Sequence, residues 1–253
     1  MAINLKKKYQ HLFVNRIGCT EQAFMKTKRI VMELQSGQAY KLDGQALLPT
    51  HSPSPYPIIH PRMPPHCILK GHWEVIHHNQ DDASNILGDI QTFTAKNQAL
   101  SIPIAPTNYE MLAYYGARLL HQDESLLFDT HISLPLFEMS IGADYLKGYM
   151  LKKQYANGIF LEYHNRPHFH MPVKANASGY LILGKKIHED TYYLSAFIIP
   201  FGSAIYLPPY VIHNDSLLVG SYYVLYAKAD DFSTVRLLHP SQAMLNVKIV
   251  VRR

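Results

Sequence analysis

From Asp129 onward the chain is cut into short apolar and aromatic runs by Gly, Pro and Asn-Asp turn residues. Strands are expected at 131–139, 158–163, 168–173, 179–183, 192–199, 204–207, 219–227, 234–238 and 245–251. Turn signals at intervals of roughly ten residues leave room for strands of ordinary length and for no helix. A strand buries alternate side chains, so many short strands need a second sheet to bury them against. That pattern folds as a sandwich or a barrel.

The first half is less regular. Residues 28–42 read as a hairpin around Ser36-Gly37 and ahead of Asp43-Gly44, with a helix over 21–35 as the rival reading. Seven prolines crowd residues 49–65. Lacking N–H donors, this stretch serves as a rigid surface arm or as a segment that a proline-recognising partner binds. Strands follow at 67–78, 87–95 and 99–104. Pro106 and the capping box Thr107-Asn108-Tyr109-Glu110 then open a helix of about 108–121. Met111, Leu112, Tyr115 and Leu119 share its apolar face, which packs across a sheet or bridges the two halves. The expected division is a β-rich region at 1–122, carrying the arm and the helix, followed by a barrel at 123–253. The first region adds strands to that barrel or forms a second one, although no internal repeat is visible.

Charge and composition remove several function classes. The formal net charge is +5 over 253 residues, and Lys6, Lys7, Lys8, Arg252 and Arg253 supply part of it. No basic stripe interleaved with aromatics marks a nucleic-acid surface. No apolar run approaches the roughly 18–20 residues of a membrane span, and the segment 9–18 is too polar for a signal-peptide core. Cys19 and Cys67 are the two cysteines, too few for a disulfide framework. A cytoplasmic protein is the expectation. Fifteen histidines, however, are many, and imidazole is the commonest metal ligand.

Residues 162–172 read Glu-Tyr-His-Asn-Arg-Pro-His-Phe-His-Met-Pro. On a strand, His168 and His170 point to one face about 7 Å apart. Two such imidazoles can grip a divalent metal or a small anion, and His213 from a neighbouring strand would complete the grip.

At these residues the chain resembles the cupin superfamily. Cupins carry a first motif with a His-x-His pair followed by a glutamate. Their second motif is Gly, five residues, Pro-x-Gly, two residues, His, then a nearby Asn. Gly202, Pro208 and His213 fit the second motif, with Tyr210 at the usual glycine and Asn214 closer than the usual asparagine. His168 and His170 fit the first, and 179–185 looks like the strand and turn that follow it. The first-motif glutamate is missing, its place falling at Lys174 or Ala175. The resemblance spans 133–238. It implies a double-stranded β-helix (jelly-roll) barrel in the C-terminal half, with a homodimer as the default assembly.

The resemblance also implies a metal-dependent enzyme acting on a small polar, anionic metabolite. Dioxygenase chemistry is the first choice, ahead of isomerase, epimerase or lyase chemistry. His168, His170 and His213 would hold the ion, leaving coordination positions for water, oxygen or substrate. Fe(II) is the first choice, ahead of Zn, Mn or Ni. Glu162, on the strand face of His164, would be a fourth ligand or a general base, against the plainer reading of an edge glutamate paired with Arg166. His164 would be an alternative ligand or would support a ligand from behind. Tyr180, Tyr193, Tyr206 and Tyr223 would line the barrel, and one of them, Tyr206 first, would donate a proton. Arg166, Lys174 and Asn214 would orient the substrate. A lysine beside a metal costs several kcal/mol, so a metal-free, non-catalytic ligand-binding or sensor cupin is the competing reading. A scaffold whose proline arm contacts a partner is the third. A second cluster, His60, His66, His72, His77 and His78 with Asp81-Asp82, could hold another ion, although a solvated turn explains the aspartates.

Overall fold

The computed structural model describes residues 5–53, 57–74, 90–151 and 158–251. It is mainly β. The first part supplies strands β1 (Asn15–Ile17), β2 (Phe24–Leu34), β3 (Gln38–Asp43), β4 (Ala46–Thr50), β5 (Cys67–Glu74), β6 (Ile90–Ala95), β7 (Ala99–Pro103), β8 (Arg118–Leu120) and β9 (Ser125–Phe128). The second supplies β10 (Leu134–Ile141), β11 (Phe160–His164), β12 (His168–Pro172), β13 (Ser178–His188), β14 (Thr191–Phe197), β15 (Ala204–Leu207), β16 (Ile212–Leu225), β17 (Phe232–Leu238) and β18 (Asn246–Val250). Helices are short: α1 (Leu5–Tyr9) and α2 (Tyr109–Tyr114), with single turns at Gln10–Leu12 and Leu146–Met150. Among the described residues no helix is long and apolar enough to cross a membrane.

Two antiparallel arrays share the long strand β16. In the first array, β10 pairs the C-terminal part of β16, which pairs β12, which pairs β15. In the second, β11 pairs the N-terminal part of β16, which pairs β13, which pairs β14. The strand passes from one array to the other at Gly220, whose φ of +109° is open to glycine and strained for any other residue. A Cβ there would also sit 3.0 Å from Ala177 Cα.

Strands of the first half are built into both arrays, so pairings cross the expected boundary at 122/123. β2 adds to β10 and β8 to β15. β5 adds to β14, β6 to β5, and β17 links β6 back to β11. The second array thereby closes on itself, with the β17–β6 pairing parallel. Of the two roles considered for the first half, the pairings show the addition of strands.

Three apolar clusters fill the spaces this creates. Leu69, Phe93, Leu161, Ile182, Leu194 and Val235 pack inside the closed array. Phe137, Met139, Leu183, Phe197, Ile205 and Val224 pack between the arrays. Leu136, Phe169, Met171 and Tyr206 pack on the outer face of the first array against Tyr40, Leu42, Leu126 and Phe128 of the small β4–β3–β9 sheet. The strand β12 is therefore covered on both faces: Phe169 and Met171 turn outward, and His168 and His170 turn into the space between the arrays. A buried strand face made of histidine costs desolvation that core packing alone does not explain.

Several sequence expectations need correction. Residues 29–34 and 38–42 are strands, not a helix, but they are not partners: β2 joins β1 and β10, whereas β3 turns at Gly44 into a hairpin with β4. The helix expected at about 108–121 is only Tyr109–Tyr114. Asn108, not Thr107, caps it by accepting from Met111 N–H, and Gly116 at φ +82° ends it. Leu119 lies instead on β8, although it reaches the same apolar cluster as Leu112 and Tyr115. The strand expected at 219–227 begins at Ile212, which places His213 and Asn214 within β16 rather than before it. The proline-rich stretch crosses the surface. Arg62 N–H donates to Glu110 and the Pro65 carbonyl accepts from Ser195, while residues 54–56 lie outside the described residues.

Candidate metal centre

Strand alternation decides which side chains meet. On β11, Leu161 packs inside the closed array, so Glu162 and His164 point the other way, into the space that His168 and His170 enter from β12. On β16, His213 lies opposite Leu183 and Glu162, both turned to that same space. Three strands from two arrays thus deliver four imidazoles and a carboxylate. Asp215, two residues beyond His213, adds a second carboxylate.

Glu162, His164, His168 and His213 each offer a ligand atom, and these atoms lie within 4.8 Å of one another. A second group, His168, His170 and Asp215, meets the same limit. His164 Nε2 and His168 Nε2 are 2.7 Å apart, and His213 Nε2 is 3.4 Å from Glu162 Oε1. The rings of His164 and His168 lie 4.6 Å apart by centroid, and those of His168 and His213 lie 4.8 Å apart. His213 is 1% exposed and His168 is 8% exposed.

Hydrogen bonding fixes how these rings present themselves. His213 Nδ1 lies 2.8 Å from the Val211 carbonyl, which only a protonated Nδ1 can satisfy. Its Nε2 then faces Glu162 and His168. A backbone carbonyl holding the distal nitrogen is the usual support behind a metal-bound imidazole. Buried polar atoms without a hydrogen-bond partner include His168 Nδ1, His213 Nε2 and both ring nitrogens of His170. Native interiors leave few such atoms unpaired, so water, an ion or another ligand is needed to complete this cluster.

The set fits an ion. In a tetrahedral shell with bonds of about 2.1 Å, neighbouring donors lie roughly 3.4 Å apart, so a set within 4.8 Å closes by small side-chain movements, with the His164–His168 pair opening from 2.7 Å. Three nitrogens and one carboxylate oxygen suit first-row divalent metals, and Zn and Fe(II) both accept them.

Electrostatics describe the same site without an ion. Burial pushes His164 down to about 4, with the charge on His213 adding to it. Burial, with His213 again adding, takes His170 down to about 3. Burial and the neighbouring imidazoles hold His168 well below its ordinary value. Burial also opposes charge on Glu162 and His213, but their mutual contact outweighs it: the carboxyl lies below its usual range and the imidazolium above. Asp215 is pushed up to about 6 by burial, then by the charge on Glu162. His164, His168 and His170 are thus held in the neutral form that binds metal, whereas His213 has to give up its extra proton to do so.

Glu162, His164, His168 and Asp215 line a cavity of about 60 Å³, together with Arg16, Met25, Met139, Ile141, Tyr145 and Tyr226 among others. The expected substrate-handling residues lie elsewhere. Arg166 is paired with Asp230 and donates to the Lys228 carbonyl, lining a separate surface cavity with Asp129 and His131. Glu162 is consequently not its partner. Lys174 is exposed in the turn after β12. Asn214 turns to the opposite face of β16, donating to the Phe160 carbonyl and accepting from Ser216. Tyr206 lies opposite Phe169 and packs in the outer cluster, away from the histidines. Tyr180, Tyr193 and Tyr223 also lie away from the cavity, whose tyrosines are Tyr145 and Tyr226.

The three expected ligands His168, His170 and His213 face one space, but no single group within 4.8 Å contains all three. His164 stands where His170 was expected. The signal was present in Glu162-x-His164, an alternating pair that shares a face on β11. Of the other histidine cluster, His77, His78, Asp81 and Asp82 lie outside the described residues. His66 stacks on Tyr193 at 4.0 Å, while His60 and His72 are exposed.

Comparison of the chain with protein-family models, curated proteins and solved structures yields no match.

Proposed function

We propose that this chain is a metal-dependent enzyme of cupin type, with Glu162, His164, His168 and His213 as ligands for a divalent ion and a small polar metabolite as substrate. One observation carries the reading: three buried imidazoles and a carboxylate from three strands bring ligand atoms within 4.8 Å of one another beside a cavity that Glu162, His164 and His168 line. Fe(II) is the preferred ion, ahead of Zn, Mn and Ni, and dioxygenation is the preferred chemistry, ahead of isomerisation or lyase reactions. Bound there, the ion would supply Lewis acidity or oxygen activation. The chain's own part is to hold four donors in place from rigid strands, to exclude bulk water through Met25, Met139 and Ile141, and to orient His213 through the Val211 carbonyl.

The fold supports the same reading. If β16 counts as two strands divided at Gly220, the arrays β10-β16-β12-β15 and β11-β16-β13-β14 have the pairing order of a jelly roll of two interlocked Greek keys. β5, β6 and β17 depart from it by closing the second array. In this frame the first cupin motif is Glu162-x-His164 followed by His168. It sits six residues upstream of the pair that the sequence suggests, with glutamate and histidine exchanged.

A second reading has its own support. The 2.7 Å contact between His164 Nε2 and His168 Nε2 is also the geometry of one neutral imidazole donating to another in a metal-free pocket. Metal analysis of the chain purified without a histidine tag separates the two. Near-stoichiometric metal in the wild type, lost in His168→Ala and His213→Ala, is the expected result. No metal, with melting unchanged by chelator, favours the non-catalytic pocket.

A further inference from the structure

We propose that the cavity beside the histidine cluster is a carboxylate-binding site anchored by Arg16, and that the ligand it takes is a short aliphatic carboxylate. The proposal rests on the metal-centre reading and names the substrate class of that site. Arg16 lies on β1 and lines the same cavity as Glu162, His164 and His168. Its Nη1 donates to Tyr145 Oη at 2.7 Å and lies 3.9 Å from Met25 Sδ. Among the described residues Arg16 enters no ion pair with a carboxylate. A guanidinium carries five donors in a planar fork. Held partly out of water, it meets the Tyr145 and Tyr226 hydroxyls and a thioether, and it lies near enough to Asp215 to offset part of the rise in that carboxyl's pKa, yet no described carboxylate engages its fork directly.

Charge and shape select the ligand. A 2+ ion and Arg16 together exceed the charges of Glu162 and Asp215 by one, and a single carboxylate neutralises the excess. The guanidinium fork matches a planar carboxylate with two parallel hydrogen bonds, and the Tyr145 hydroxyl, held by Arg16, can donate to the same group. Met25, Met139 and Ile141 offer the rest of the ligand an apolar wall. The cavity, at about 60 Å³, admits only a short chain.

The test uses the full chain, metal-free and Co(II)-loaded, titrated with butyrate and with 1-butanol and butylammonium as controls, read by calorimetry and melting. Butyrate binds and raises the melting temperature, and the controls do not. Arg16→Met weakens butyrate by about 10- to 100-fold, the worth of a charge-assisted hydrogen-bonded pair, while Co(II) uptake stays at the wild-type level. If Arg16→Met does not fold, Arg16→Lys decides: it keeps the charge, loses the fork, and binds butyrate more weakly than wild type. Butyrate binding no better than 1-butanol, or undiminished in the variants, overturns the proposal. A wild type that takes up no Co(II) overturns the metal reading and, with it, the charge balance on which this proposal stands; a Co(II)-loaded chain that does not bind butyrate overturns this proposal alone.

Discussion

At the scale of single residues, the site separates His164 from His170. Both are buried histidines beside His168, whose ring stacks on that of His170 at 5.3 Å. Only His164 belongs to the group that contains both Glu162 and His213. His164→Ala is therefore expected to lower metal affinity at least about tenfold, the loss typical of disturbing a metal site, and His170→Ala to lower it less. Competition with a chromophoric chelator measures both, and the reverse order would move the ion to the His170 and Asp215 side. Tyr206→Phe is expected to leave metal affinity unchanged in the same assay, because its ring packs on the far face of the first array.

The element that matters most is β16. Its N-terminal part carries His213 and Asp215 and pairs with β13 and β11, and its C-terminal part carries Val224 and pairs with β10 and β12. Gly220 joins the parts at φ +109° with Ala177 against it. Gly220→Ala is expected to destabilise by about 1–3 kcal/mol through backbone strain and crowding. Gly37→Ala is the control: φ is +74°, but no atom lies within 4 Å of the added carbon, so only the backbone penalty applies. Urea denaturation of the two variants gives the comparison, and equal losses would remove the crowding argument.

For the whole molecule, the buried histidines link stability to pH. His164 at about 4 and His170 at about 3, with His168 also lowered, take up protons in the unfolded chain near 6.5 but resist them in the folded one. Their contribution is present above 6.5 and is lost as pH falls from 6.5 toward 4. Asp215 at about 6 acts in the opposite sense below 6, since the folded chain takes its proton first. His213, raised, gives its full contribution below 6.5, and the lowered Glu162 adds to the loss below about 4.5. Three lowered rings against one raised carboxyl and one raised imidazole leave a net loss. The melting temperature of chelator-treated protein is expected to fall between pH 7 and pH 5, and a flat or rising profile would contradict this. Free metal at 100 times Kd should stabilise by about 2.7 kcal/mol at neutral pH, a Tm rise of roughly 5–10 °C for a chain of this size.

Most of the second-half strands were legible in the sequence to within a few residues, because turn residues mark strand ends and alternation marks faces. That histidines from 162–170 and from residue 213 converge was legible only through the likeness to two motifs, since periodicity alone does not bring distant strands together. Partnership was not: β2 and β3 are adjacent in sequence and lie in different sheets, since pairing depends on which apolar faces can be buried together. The sequence by itself determined a β-rich chain with a concentration of imidazoles. Only the tertiary structure decided that His164 rather than His170 joins Glu162 and His213, that Asn214 and Tyr206 face away, and that Arg16, about 150 residues from the motif, reaches the cavity. Local periodicity fixes which side of a strand a residue occupies, but which strands oppose one another is set by long-range burial.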